Sequence, residues 1–159
     1  RSNPFGDSFM SRALLFLHLL GFTLWLGGAI ASMVVGIAAR QEERSGVGAV
    51  VRAQSKLTKV AIAPGSLLTV LSGIILTFQI SGGEMAGFSI WLVLMQGAGV
   101  IAALITLLIA LPTATRLGRL DPTGEGARYF DELRARQRIV ASIAGTFGLV
   151  ALFAGAMLG

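Results

Sequence analysis

MAGFSIWLVLMQGAGVIAALITLLIALPTAT, residues 85–115, is a run of 31 residues without Asp, Glu, Lys or Arg. A helix of about 20 mostly apolar residues crosses the hydrocarbon core of a bilayer, so this run alone is long enough to span a membrane. Three more charge-free runs occupy residues 13–39, 60–83 and 139–159. Backbone groups in lipid must be paired within their own segment, which makes each run a helix. The sequence therefore predicts an all-α, four-helix transmembrane bundle.

The composition of the whole chain agrees with a membrane protein. Of the 159 residues, 54% are apolar and 13% are charged, whereas a soluble domain carries about 25% charged residues. The apolar share also excludes an intrinsically disordered chain. The sequence contains no cysteine, which excludes disulfides, thiolate metal sites and redox chemistry at sulfur.

The charge-free runs and the turn signals between them set the expected helix bounds. We predict spans at about 11–40, 57–80, 88–116 and 133–157, and residues 1–10 as an N-terminal extension, either native or left from cloning. Pro64 and Pro112 fall inside the second and third spans, where a proline is expected to kink a helix.

A weak internal similarity connects the two halves of the chain. An offset of 82 residues places Gly155 of the fourth span on Gly73 of the second, and Arg134-Ala135 on Arg52-Ala53. Two similar helix hairpins of the same sidedness would be parallel repeats, related by an axis along the membrane normal.

The basic residues are concentrated on one side of the predicted bundle. Eleven of the 13 Lys and Arg lie between the first and second charge-free runs or between the third and fourth, and only Arg1 and Arg12 lie on the other side. The positive-inside rule makes the basic side cytoplasmic. This predicts a multi-pass protein of the bacterial inner membrane with both termini in the periplasm. The net charge of +5 is then explained by contact with lipid headgroups rather than with nucleic acid.

Small residues recur one helical turn apart in the first and fourth spans. Because lipid gives helices no hydrophobic reason to associate, such spacing lets their backbones approach closely. The pairs are Gly28-xxx-Ser32, Ala141-xxx-Gly145, Ala144-xxx-Gly148 and Ala151-xxx-Gly155. We expect a tight bundle, and a homo-oligomer or contacts with other membrane subunits through Gly28, Ser32, Gly145, Gly148 and Gly155.

His18 is the single histidine of the chain and lies inside the first charge-free run. Helical spacing places it on one stripe with Gly21, Trp25 and Gly28, and such a small and polar stripe is expected to face the bundle. An ionisable residue inside a membrane is a functional hypothesis by default. The alternative is a structural role, in which His18 forms an interhelical hydrogen bond to a Ser, Thr or Gln.

Several side chains lie at about the depth of His18 if the helices rise 1.5 Å per residue, roughly the standard value. They are Ser72 in the second span and Met95 and Gln96 in the third, with Trp25 further along the first. We predict that His18, Trp25, Met95 and Gln96 line a cofactor site, with His18 and Met95 as candidate metal ligands. Neutral imidazole with a thioether suits Cu(I) or a haem iron.

The sequence offers little side-chain chemistry beyond this site. A single histidine excludes bis-histidine haem ligation within one copy, and none of the spans contains a carboxylate pair for a proton relay. The sequence also lacks a Ser-His-Asp set within reach, a phosphate-binding glycine loop and an HExxH motif. Catalysis by the side chains alone is therefore not expected.

Residues 17–28, LHLLGFTLWLGG, resemble the opening helix of the copper-resistance D superfamily and of related uncharacterised bacterial four-helix membrane proteins. The corresponding positions are His18, Trp25, Gly27 and Gly28. The resemblance implies a membrane bundle, linked in some members to copper uptake or haem and in many to no assigned activity.

Three functional hypotheses follow from the sequence. The favoured one is binding of copper or haem at an outer-leaflet site around His18. The alternative is a structural or accessory subunit of a larger membrane complex, without chemistry of its own. A small transporter formed by the two hairpins is the third, and the absence of buried charges makes it the least favoured.

Overall fold

The computed structural model of the chain describes residues 4–81 and 89–158. All regular structure within these two ranges is helical, and no β-strand occurs in them. The helices are α1 (Pro4–Ala38), α2 (Arg44–Leu57), α3 (Ala63–Ser81), α4 (Ile90–Ile105), α5 (Leu111–Leu117) and α6 (Ala127–Ala156).

Four of the resulting helical rods are long and apolar enough to cross a membrane. They cover Phe9–Ala38, Gly46–Gln79, Ile90–Leu117 and Ala127–Ala156. The predicted all-α bundle with four membrane-spanning helices is thus confirmed. The orientation, with both termini outside, stays a prediction.

Two π-helical turns carry the second and third rods past their prolines. Thr58–Ile62 joins α2 to α3, and Thr106–Ala110 joins α4 to α5. A proline lacks an N–H group, and its ring clashes with the carbonyl group four residues earlier. The residue before each proline bonds instead to the carbonyl five residues back, from Ala63 N to Thr58 O and from Leu111 N to Thr106 O. The prolines predicted to kink these helices are accommodated by one wider turn each.

The helices extend further at the basic end than the charge-free runs predicted. The second rod begins at Arg44 rather than at residue 57, and α6 begins at Ala127 rather than at residue 133. Both extensions carry charges on one side and apolar residues on the other, so they form amphipathic helices that continue the spans. At the other end, α1 begins at Pro4 rather than at residue 11. Residues 81–83, whose sequence Ser-Gly-Gly indicates a turn between the second and third spans, lie mostly outside the described residues.

The rods pack as two antiparallel hairpins. The most extensive contacts are those of α1 with α3 and of α4 with α6. Trp25 and Ile62 of the first hairpin meet Ala102 and Ala103 of the second in one buried cluster. This cluster holds the hairpins together near the middle of the bundle.

A helical cap covers the basic end of the bundle. It consists of α2, α5 and the first turns of α6, packed around Phe130, whose residue surface is 1% exposed. Val47 and Val51 of α2, Leu117 of α5 and Leu133 of α6 complete this core. Arg44 fastens its edge, with Nη2 donating to Asp131 Oδ2 at 2.5 Å and Nε donating to the Pro122 carbonyl at 2.9 Å.

Candidate functional site

His18 lies on the face of α1 that packs against α3. Its Nδ1 is 2.8 Å from the main-chain carbonyl oxygen of Thr69 and 3.4 Å from the hydroxyl oxygen of Ser72. The ring also rests on Gly73, where an added Cβ would lie 2.9 Å from His18 Cε1. The structural role considered for His18, an interhelical hydrogen bond, is therefore present, with a backbone carbonyl as its main partner.

The Thr69 contact determines which ring nitrogen of neutral His18 carries the proton. A carbonyl oxygen only accepts hydrogen bonds, so Nδ1 must be the donor and Nε2 must hold the lone pair. The hydroxyl of Ser72 donates to the Leu68 carbonyl at 2.6 Å, which leaves its oxygen as a weak second acceptor for Nδ1. In the parts of the chain that the structure describes, Nε2 has no hydrogen-bond partner. An imidazole anchored at one nitrogen by a carbonyl is the usual state of a metal-binding histidine.

Two glycines allow His18 to reach a carbonyl of the neighbouring helix. A Cβ added to Gly65 would lie 2.7 Å from Gly21 O and 2.8 Å from Trp25 N. A Cβ added to Gly21 would lie 2.8 Å from Thr69 N. The backbones of α1 and α3 are thus in direct contact one turn from His18, a closeness that only glycine permits. The predicted stripe of His18, Gly21, Trp25 and Gly28 does face the bundle.

Gln96 connects α4 to the same part of α3. Its Nε2 donates to the hydroxyl oxygen of Thr77, and the Thr77 hydroxyl contacts the Gly73 carbonyl oxygen at 3.0 Å. Gly73 is also the residue on which the His18 ring rests. Gln96 therefore lies near the level of His18, as the depth argument expects, and meets it through one turn of α3.

Met95 packs on the second hairpin. A Cβ added to Gly155 of α6 would lie 3.2 Å from the Met95 sulfur, so the thioether fills the space above that glycine. The contacts of His18 are made with α3, whereas this contact of Met95 is made with α6. The ligand role predicted for Met95 stays a prediction, and its observed contact is one of helix packing.

Trp25 belongs to the buried cluster between the hairpins, and its predicted role in a cofactor site stays a prediction. It is 6% exposed and packs with Ile62, Ala102 and Ala103. It is two turns from His18 along α1, about 10 Å at the usual helical rise. The contact that Trp25 makes is thus one of core packing.

Most residues predicted to hold other subunits serve packing within this chain. An added Cβ would meet Ile62 at Gly28, Leu26 at Gly148 and Met95 at Gly155. The spacing of small residues correctly indicates close helix contacts, but it cannot distinguish a partner helix in the same chain from one in another. Gly145 differs, because no atom of the described chain lies within 4 Å of its Cβ position. The Ser32 hydroxyl oxygen is buried and has no hydrogen-bond partner among those residues.

The structure also reveals a groove that sequence reasoning missed, between the α4–α5 rod and α6 at the basic end. Its volume is about 370 Å³, and its walls combine apolar side chains with Arg116, Tyr129 and Arg136. On α6, Tyr129, Glu132, Leu133 and Arg136 follow the spacing of one helix face, which is the signal the sequence did contain.

A second cavity, of about 490 Å³, lies beside the loop that joins α5 to α6. There the hydroxyl and the N–H of Thr123 donate to Asp121 Oδ1 at 2.7 and 2.9 Å. These two hydrogen bonds, the hydroxyl's first, lower the pKa of Asp121 below its ordinary value. The carboxylate is ionised near neutral pH and faces Arg52, so this cavity has both charges on its wall.

Residues 4–81 and 89–158 contain no group of three or more His, Cys, Asp or Glu side chains that could hold a metal ion. No protein-family model, curated protein or solved structure matches this chain. The resemblance of the first helix therefore depends on residues 17–28 alone.

Proposed function

We propose that this chain is a small multi-pass membrane protein that binds a haem iron or Cu(I) through Nε2 of His18. The observation that supports the proposal is the hydrogen bond from Nδ1 to the Thr69 carbonyl, 2.8 Å long. It fixes both the tautomer and the plane of the ring, so the lone pair on Nε2 has a defined direction.

The residues fit such a centre through one strong ligand per chain. A neutral imidazole is accepted by both Cu(I) and haem iron, and a single axial histidine is sufficient for haem. Haem would supply one-electron or gas-binding chemistry at this position, whereas Cu(I) would be bound for transfer. The protein itself holds the imidazole, and the Gly21–Gly65 contact keeps it within reach of Thr69.

The experiment is a measurement of haem and copper in protein purified from its native membrane. We expect a Soret band or close to one copper per chain in the wild type. The His18→Gln variant keeps an N–H donor for the Thr69 carbonyl but lacks the imidazole lone pair, and it should retain less than about a tenth of the metal. A Met95→Leu variant tests the predicted second ligand, and Met33→Leu at an exposed position is its control.

Two results would contradict the proposal. One is wild-type protein with neither a Soret band nor stoichiometric copper. The other is a His18→Gln variant that is folded and carries as much metal as the wild type. Circular dichroism of each variant establishes whether the helical fold is retained, so a loss of metal through unfolding is recognised separately.

A second candidate function is that of an accessory subunit, and one surface of α1 favours it. Thr23, Gly27 and Ala31 follow one another at four-residue spacing, and all three are exposed. No described atom lies within 4 Å of the Cβ position of Gly27. A strip of small, outward-facing residues allows a helix of another chain to approach closely.

This candidate predicts an assembly larger than one chain in mild detergent. The mass of the protein component should exceed 16.6 kDa, and Gly27→Leu should return it to the monomer value, because the larger side chain holds the helices apart. The control is Ile30→Leu, which exchanges an exposed side chain on the same helix for one of similar size. Native mass spectrometry gives the mass directly, and a monomeric wild type would contradict the idea.

A further inference from the structure

The groove between the α4–α5 rod and α6 lies where the charge-free part of both rods ends. Arg116 is the first charged residue after the run 85–115, and Arg136 lies one turn before the run 139–159. Both arginines line the groove and both are exposed. Residues at this position in a membrane helix lie at the level of the lipid headgroups. The groove therefore opens at the boundary between headgroups and hydrocarbon.

The positive charge of the groove is not balanced within the chain. Neither Arg116 nor Arg136 forms an ion pair or a side-chain hydrogen bond with any residue of 4–81 or 89–158. Glu132 also lines the groove, but its Oε1 accepts a hydrogen bond from Arg128 Nε at 3.1 Å. Two guanidinium groups thus face an open space without an acceptor of their own.

The other end of the groove is apolar and lies within the membrane-spanning part. Leu108 is 68% exposed, and Ile109 and Pro112 continue the same wall toward Arg116. At the usual helical rise, Leu108 lies about 12 Å from Arg116 along the rod. Tyr129 places a phenol beside the arginines, and such a ring is typical of the membrane interface, where one end is apolar and the other polar.

We propose that this groove binds one anionic phospholipid of the leaflet at the basic end. The two arginines hold its phosphate, the Tyr129 hydroxyl donates to a phosphate oxygen, and an acyl chain follows Leu108, Ile109 and Pro112. Guanidinium groups match phosphate oxygens through paired hydrogen bonds, which lysines elsewhere on this face do not provide. The basic end of the groove is complementary to the headgroup of such a lipid, and the apolar wall is complementary to its acyl chain. The site is independent of His18 and of any metal.

The experiment measures binding of phosphatidylglycerol and phosphatidylcholine to the detergent-purified chain by native mass spectrometry. The wild type should retain one phosphatidylglycerol in preference to phosphatidylcholine. The double variant Arg116→Gln/Arg136→Gln should bind phosphatidylglycerol about 25-fold more weakly, since each arginine contributes roughly a fivefold factor.

A second double variant controls for net charge. Arg119→Gln/Arg138→Gln removes the same charge from the same end of the molecule, but neither residue lines the groove. It should bind phosphatidylglycerol within about threefold of the wild type. Thermal unfolding of both variants establishes that they are folded.

Three results would overturn the proposal. Equal weakening in the two double variants would mean diffuse attraction to the charged face. Equal retention of phosphatidylglycerol and phosphatidylcholine would mean that the headgroup charge is not recognised. Displacement of the lipid by inorganic phosphate alone would mean that the groove is a site for a soluble phosphate.

Discussion

Alanine in place of Gly65 should force α1 and α3 apart and lower the stability of the whole bundle. The added Cβ would lie 2.7 Å from Gly21 O and 2.8 Å from Trp25 N, and backbone atoms cannot rotate away as a side chain does. Overpacking against backbone atoms is expected to cost about 3 kcal/mol, the upper end of the usual range, which corresponds to a fall of roughly 10 °C in melting temperature for a chain of this size. Thermal unfolding in detergent measures the change.

Gly145→Ala is the matched control for this prediction. Gly145 is also a glycine inside a helix, but no described atom lies within 4 Å of its Cβ position. Alanine is the better helix former, so this variant should be as stable as the wild type or more stable by up to about 1 kcal/mol. The two substitutions add the same methyl group, but they should change the stability of the bundle in opposite directions. An unchanged melting temperature for Gly65→Ala would contradict the close approach of the α1 and α3 backbones at this residue.

Loss of the Phe130 ring should destabilise the cap at the basic end more than any surface change in it. Phe130 is 1% exposed and belongs to the buried cluster that all three helices of the cap form. Replacement of a buried phenylalanine by alanine costs about 3–5 kcal/mol, through lost burial and the cavity left behind. We expect Phe130→Ala to speed amide hydrogen exchange in α2, α5 and the first turns of α6. The α1–α3 hairpin lies outside the cap and should exchange as in the wild type.

The neighbouring aromatic residue provides the comparison. Tyr129 is 50% exposed, so Tyr129→Ala should cost less than about 1 kcal/mol. Hydrogen exchange followed by mass spectrometry resolves the segments in both variants. A uniform increase of exchange across all four rods in Phe130→Ala would show that the cap and the bundle unfold as one unit.

The membrane-spanning part of this fold is the part that a sequence predicts well. Charge-free runs such as residues 85–115 are long, and lipid permits only helices there. The cap was missed because its charges end the apolar runs. Val47 and Val51, four residues apart in a segment with Arg44 and Arg52, do show the pattern of an amphipathic helix. A prediction that gives this spacing more weight than the charges begins the second rod at the correct place.

The candidate site was predictable only in part. Equal depth correctly relates Gln96 to the surroundings of His18, because distance along a helix follows from residue number. The partner of His18 was not predictable, since the acceptor is the carbonyl of Thr69 and every residue has a carbonyl. The rotation of Met95 toward Gly155 was not predictable either, because depth gives no information on the direction in which a side chain points.

The π turn at Thr106–Ala110 determines which direction Arg116 faces. Such a turn contains one residue more than an α-turn, so every side chain beyond it is rotated by about 100° relative to an uninterrupted helix. A helical wheel aligned on Ile90–Ile105 and drawn straight through this turn therefore points Arg116 about a quarter turn away from its direction in the structure. The inserted residue aligns a guanidinium with the face of α6 that carries its counterpart. Deleting one residue from this turn would move the charge away from the groove while leaving the composition of the span almost unchanged.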